Sequence, residues 1–433
     1  MMRSTHNTML RSGASWLTRG VSLAIVVCSL AACDNLLEVD TPSRVPADVL
    51  ERPENAQLLV NSAIADFDCA FGTYVYLSGI IGEELIDATQ TADRFPYDRR
   101  DHQASDRRYA VNTCENLGVY TPLNTARASA DNVLNFLQNV WTDEEVPNRE
   151  ELIATAAAYA GYSLVLLGEG FCSGVISTVD DNGDIVFGEE LTPDQMLEAA
   201  LTRFTTAIDA AQASGETDIL NMARVGQARA LLDLGRFAEA GTAAALVPPN
   251  FEHVATASGI TARRQNRVWS QNNPTNRSTS VGAPYRTLND PRVPVVNNNT
   301  TSVTGVPIWL QLKYNEVGDA IPIATYDEAQ LILAEARLEA GDVAGALTIV
   351  NTYRARGGQA ALPGGSTAQQ VRDALIDQRR RELFLEGHHL GDVIRYNITL
   401  TPAAGTAYHG SGTYGNQKCL ALPDVERLNN PNI

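Results

Sequence analysis

Two stretches decide the fold. Ala228-Arg-Ala-Leu-Leu-Asp-Leu-Gly235-Arg-Phe-Ala-Glu-Ala240 parallels Ala334-Glu-Ala-Arg-Leu-Glu-Ala-Gly341-Asp-Val-Ala-Gly-Ala346. In each, a glycine ends one helix and an alanine five residues later lets the next helix pack close. That is the signature of a tetratricopeptide (TPR) helix pair. Residues 151–168 read as another first helix, rich in alanine with apolar residues at helical spacing. Thr192-Pro193 caps the next, with threonine at N-cap and proline at N1. It runs to about Ala213, followed by helices from Leu220 to Gly235 and from Phe237 to Val247. Thr325 and Glu328 form a capping box at the head of a further pair, and the next helix spans Gln369 to Glu386. The expected fold is mainly α: TPR-type pairs at about 151–247 and 325–356, carrying long loop insertions.

The insertions fall at about 71–120, 173–191, 250–310 and 397–433. Loops of this length in a domain usually carry function or disorder. Residues 173–191 read as one minor β-hairpin turning at Asn182-Gly183.

At the N-terminus Arg3, Arg11 and Arg19 precede the apolar run 21–30 and then Leu30-Ala31-Ala32-Cys33. This reads as a signal peptide over 1–32, too short to span a bilayer, with Met9 as an alternative start. The Leu-Ala-Ala-Cys tetrapeptide resembles a bacterial lipobox. The resemblance implies a lipid on Cys33 and a polar tether over 33–50, ahead of a single domain over 51–433. Asp34 leaves the final membrane open. No later stretch reads as transmembrane. Cys69, Cys114, Cys172 and Cys419 remain for two disulfides in an oxidising compartment, with three pairings possible.

The chain of 433 residues carries a net charge of −18. That excludes a basic nucleic-acid face. No nucleophile elbow, HExxH, P-loop or dinucleotide fingerprint is present. Glu83-Glu84 reads as a solvated helix face, and residues 178–189 echo a calcium loop less well than they fit a hairpin. No cofactor and no metal are expected.

The last helical block, Arg379-Arg-Arg-Glu382-Leu-Phe-Leu-Glu386-Gly387-His-His-Leu-Gly-Asp392-Val-Ile-Arg395, resembles the SusD/RagB family. His389 and Leu390 replace the family's arginine and an aromatic. Asp290-Pro291-Arg292 also fits. The resemblance implies a non-catalytic, surface-exposed lipoprotein of the outer membrane. Such a protein binds a nutrient, a glycan or a peptide, and delivers it to a SusC-like TonB-dependent transporter. A TPR adaptor assembling envelope complexes is the alternative. Arg379, Glu382 and Glu386 lie three and four residues apart, the spacing of an ion-pair face. With Gly387, Asp392 and Arg395 they are expected to be structural. Ligand contact is expected from the insertions: Trp269 and Tyr285 as rings, Asn272, Asn273 and Arg286 as hydrogen-bonding groups, Tyr97 and Arg99 as a second wall.

Overall fold

A computed structural model of the chain describes residues 47–115, 117–180 and 184–433. The expected signal peptide, Cys33, most of the tether and the Asn182-Gly183 turn lie outside these residues. Helices of seven residues or more are labelled α1 Ala56–Ile81, α2 Tyr120–Asn135, α3 Arg149–Gly170, α4 Pro193–Ser214, α5 Thr217–Asp233, α6 Phe237–Ala244, α7 Tyr326–Glu339, α8 Val343–Arg356, α9 Ala368–Glu382 and α10 His389–Arg395. Residues 53–433 form one unit.

The two matching segments are the helix pairs α5–α6 and α7–α8. Gly235 and Gly341 adopt φ of +70° and +81°, the left-handed conformation that ends a helix without a Cβ clash. Ala240 and Ala346 are fully buried. Distant in sequence, the pairs stack directly, because α6 packs on α7. At that crossing a Cβ on Gly241 would stand 2.7 Å from the Ala336 Cβ, so only glycine allows the approach.

The α3 helix is the hub, packed against α1, α2, α4 and α5. By length and composition it could cross a membrane, contrary to expectation, but 89% of its apolar window is buried inside the protein. Around it Phe67 meets Tyr159 edge-on at 5.2 Å, and Tyr162 meets Phe204 at 5.2 Å. The Phe204 ring fits because Gly161 on α3 and Gly226 on α5 both face it without a side chain.

Several expectations are corrected here. The first insertion does not begin at residue 71, since α1 continues to Ile81 and is buried from Phe67 onward. The α9 helix stops at Glu382 rather than Glu386, because Leu385 and Gly387 take φ of +56° and +85°. Thr325 does cap Glu328 N at 3.0 Å, but the Glu328 carboxyl does not reciprocate: both its oxygens are buried without a hydrogen bond, with His388 Nδ1 3.7 Å away. Thr192 with Gln195 and Thr367 with Gln370 form complete boxes instead.

The insertions hold more strand than one hairpin. Five antiparallel two-stranded sheets occur among the described residues. In the 173–191 segment β2 (Gly174–Val175) pairs with β5 (Glu190–Leu191), and β3 (Thr178–Val179) with β4 (Ile185–Val186), in the register Thr178↔Val186. β1 (Leu85–Asp87) pairs with β7 (Thr279–Val281), and β6 (Glu252–Ala255) with β10 (Ile321–Thr325). β8 (Val295–Thr301) and β9 (Pro307–Gln311) make a second hairpin. Two disulfides fix the loops: Cys69–Cys114 ties α1 to the first insertion, and Cys172–Cys419 ties the end of α3 to the C-terminal segment.

Candidate functional site

The charged residues of the last helical block form a buried lattice. Arg379, Glu382 and Glu386 find tertiary partners rather than one another, while Asp392 and Arg395 pair within α10 and join the same network. Arg379 Nε lies 3.0 and 2.9 Å from the two Asp392 oxygens. Arg395 Nη2 reaches the same carboxylate at 2.9 Å, and its Nη1 binds Glu335. Glu382 accepts from Arg292 at 2.8 Å and pairs with Arg356 at 3.3 Å. Arg292 is itself held by Asp290, which also takes Arg381 at 3.2 Å. Glu386 pairs with Lys313, outside α9 altogether. Gly387 turns the chain, and its carbonyl accepts from Arg229 Nη2 at 3.4 Å. Burial pushes the Asp392 carboxyl up, yet Arg379 and Arg395 outweigh it and hold the carboxyl below its ordinary range. Burial pushes Glu328 up to about 8, against the pull of Arg229 and Arg379.

Glu83 and Glu84 belong to this interior and not to a solvated helix face. Both are buried, and Glu84 Oε1 accepts from Leu385 N at 2.8 Å. His389 sits 3.9 Å from Glu83 and edge-on to Tyr285.

Four of the seven residues expected to meet a ligand are part of the core. Tyr285 is 0% exposed and stacks on Phe384 at 4.9 Å. Asn272 is also buried. Its amide donates to the Thr279 and Trp309 carbonyls at 2.8 and 3.1 Å, and its oxygen accepts from Gln311 N at 2.8 Å. Asn273 is used within its own turn, accepting from Thr275 N and Asn276 N, each at 2.9 Å. Tyr97 is buried, stacked on His102 and donating to Asp106 at 2.9 Å. The two asparagines turn inward because polar atoms in a folded insertion satisfy the insertion's own backbone first, and the two tyrosines because their rings pack on other rings. Trp269 is half-buried and packs on the core. Arg286 donates to the Val281 carbonyl at 2.8 Å and lies over Trp309 at 6.0 Å.

Arg99 does face a cleft. Residues 95–108 line a space of about 520 Å³, with Phe95, Arg99, Asp101, Gln103 and Arg107 around it. The Arg99 guanidinium lies 5.0 Å from the Phe95 ring centre and donates to the Ser411 carbonyl at 3.0 Å. His102 lines the cleft and stacks on the buried Tyr97, and burial lowers the His102 pKa. The first insertion also lines a second cleft of about 320 Å³, through Ala88 and Thr89. There Thr275, Asn276, Arg277 and Ser302 complete the wall. The sequence reading missed Phe95 and Arg277. Phe95 lies two residues from Tyr97 in the same aromatic, arginine-rich stretch, and only tertiary contacts separate the open ring from the buried one.

The larger cleft offers an aromatic face, guanidinium donors, carboxylate acceptors and an amide. That set suits a ligand with CH faces and hydroxyls. Among the described residues no group of three His, Cys, Asp or Glu side chains could hold a metal ion.

Residues 313–427, which hold Lys313, α7–α10 and the lattice motif, match the SusD family. Similar solved structures include a SusD superfamily protein from Bacteroides vulgatus ATCC 8482. It is 14% identical with a TM-score of 0.65, over 88% of this chain and 98% of that one. A SusD superfamily protein from Bacteroides thetaiotaomicron VPI-5482 is 16% identical with a TM-score of 0.67, over 88% and 99%. A SusD-like carbohydrate binding protein from Bacteroides vulgatus ATCC 8482 is 13% identical with a TM-score of 0.65, over 88% and 97%. At such identities the likeness establishes the fold. No curated protein matches the chain.

Proposed function

We propose, from the match of residues 313–427 to the SusD family and from the fold shared with SusD superfamily structures, that the chain is a non-catalytic nutrient-binding lipoprotein. It captures a glycan and passes it to a SusC-like TonB-dependent transporter. Acylation of Cys33 would hold it at the outer membrane, facing outward. The observation that carries the reading is the division of labour in the fold. The ion-paired residues of α9 and α10 are buried or half-buried, with a space of about 370 Å³ beside Asp233 and Arg395, while the first insertion opens a wider cleft of about 520 Å³ with Phe95 and Arg99 on its wall. Ring faces against sugar CH groups, with charged side chains reading hydroxyls, give shallow and exchangeable binding, as hand-over requires. The perturbed acid nearest this cleft supports a binding role rather than a catalytic one. Asp98 is pushed up to about 7 by burial, but it lies beneath the surface, accepting from Tyr408 and from Asp87 N.

A glycan and peptide array on the detergent-extracted protein tests the cargo. Affinity purification in mild detergent tests the partner. Glycan hits and a co-purifying large β-barrel are expected. Peptide hits alone would replace the cargo, and repeated recovery of the protein by itself would refute the transport role.

A further inference from the structure

The proposed capture role leaves the class of glycan open, and the arginines of the insertion face narrow it. Among the described residues, Arg107, Arg277 and Arg337 are the arginines with no side-chain hydrogen bond or ion pair. Two of these three line the two clefts to which residues 88–108 contribute. The chain's net charge is −18, and the other arginines whose bonds are resolved hold a carboxylate or, as Arg100, Arg224, Arg267, Arg286 and Arg354 do, a carbonyl or amide of the protein. The smaller cleft is the clearer case. Arg277 is the only charged residue among those that line it, and its neighbours are hydroxyl and amide side chains such as Thr275, Asn276 and Ser302. Arg277 is exposed and free to fork onto an incoming planar anion, with the Thr275 and Thr301 hydroxyls on the same wall to meet ring hydroxyls, while Asn276 and Ser302 are held by their own loops. Arg107 is likewise exposed at the edge of the larger cleft, where Arg99 and Arg108 already hold carboxylates.

We propose that the insertion face selects an acidic saccharide, a uronate-containing chain whose carboxylates are met by Arg277 and Arg107. This rests on the glycan reading above and refines it. A neutral saccharide would leave both guanidiniums as they are, hydrated and unused. A carboxylate would gain charge-assisted hydrogen bonds in clefts partly screened from solvent.

The test uses the detergent-extracted chain and titration calorimetry against oligomers of galacturonate, mannuronate and glucuronate. Each is compared with its methyl ester, which keeps the stereochemistry and removes the charge. At least one acidic oligomer should bind, and its methyl ester should bind about tenfold more weakly or worse. Arg277→Gln should weaken acidic binding by a similar factor, Arg277→Lys by less, and Arg107→Gln should add to the loss. Affinity should fall as salt is raised. Since neither side chain bonds to the protein, all three variants should keep the parent's thermal midpoint. Equal binding of acid and ester, or unchanged acidic binding in both glutamine variants, overturns this inference while leaving glycan capture in place. Failure of every glycan to bind overturns both.

Discussion

Asp392→Asn is the sharpest probe of the scaffold. Both Asp392 and Arg379 are buried, and Arg379 Nε stands 3.0 and 2.9 Å from the carboxylate oxygens. Arg395 keeps Glu335 and Asp233 when Asp392 is neutralised, but Arg379 loses its one ion-pair partner. Stranding one member of a buried pair costs about 3–5 kcal/mol. Unfolding entropy of about 2.1 cal/mol/K per residue gives roughly 0.8 kcal/mol/K for residues 53–433. The midpoint should therefore drop by about 4–6 °C in calorimetry with the disulfides intact. Acidity supplies a second check. Asp392 is held below its ordinary 3.8, so its contribution is complete above that value and lost as pH falls through the lower folded one. The gap between parent and variant should be constant from about pH 5 to 8 and close below about pH 4. The double variant Arg379→Met, Asp392→Leu should recover much of the loss, because it removes both charges. A single-variant shift below about 1 °C would refute the reasoning, as it would place the pair among screened surface bridges.

Glu328→Gln tests the opposite sign. Glu328 is held protonated in the fold up to about 8 against an ordinary 4.5, so the parent loses stability as pH rises between those values. The glutamine variant should gain on the parent by a few kcal/mol at pH 9 relative to pH 5 in denaturant melts, and a constant difference would contradict it. Gly226→Ala would improve helix propensity, but its Cβ would stand 2.4 Å from the Phe204 ring. A net loss of about 1–2 kcal/mol is expected, recovered by Phe204→Leu; a gain in the single variant would show the crossing to be loose. Cys33→Ala should move the protein from the membrane pellet to the soluble fraction, and persistent pelleting would mean another anchor.

The helix pairs were legible because their signal is local. Gly235 and Gly341 need φ above zero at the point where each helix stops, and the spacing to Ala240 and Ala346 is short. The α1 helix carries no such mark. Its Phe-Gly-Thr-Tyr-Val-Tyr run is buried on all sides, so no polar stripe alternates with an apolar one to reveal a period. The charged motif was legible as structure but not in its partners. Arg379 and Glu382 are one turn apart, yet Asp392 and Arg292 win them from outside the helix. The clefts were the least legible. Residue type nominated Tyr97, Tyr285 and Asn272, yet Tyr97 and Asn272 bond within their own insertions and Tyr285 stacks on Phe384 beyond its own. Phe95 and Arg277 stayed open for reasons that only the assembled insertions decide.

The central claim is that the insertion face, and not the helical scaffold, holds the cargo. Calorimetric titration of the saccharide that binds best, against Phe95→Ala and against the scaffold variant Gly226→Ala, tests it most directly. Phe95→Ala should weaken binding at least about fivefold with an unchanged melting midpoint, while Gly226→Ala should lower the midpoint and leave affinity alone. Full affinity in Phe95→Ala, or loss of affinity in folded Gly226→Ala, would contradict it.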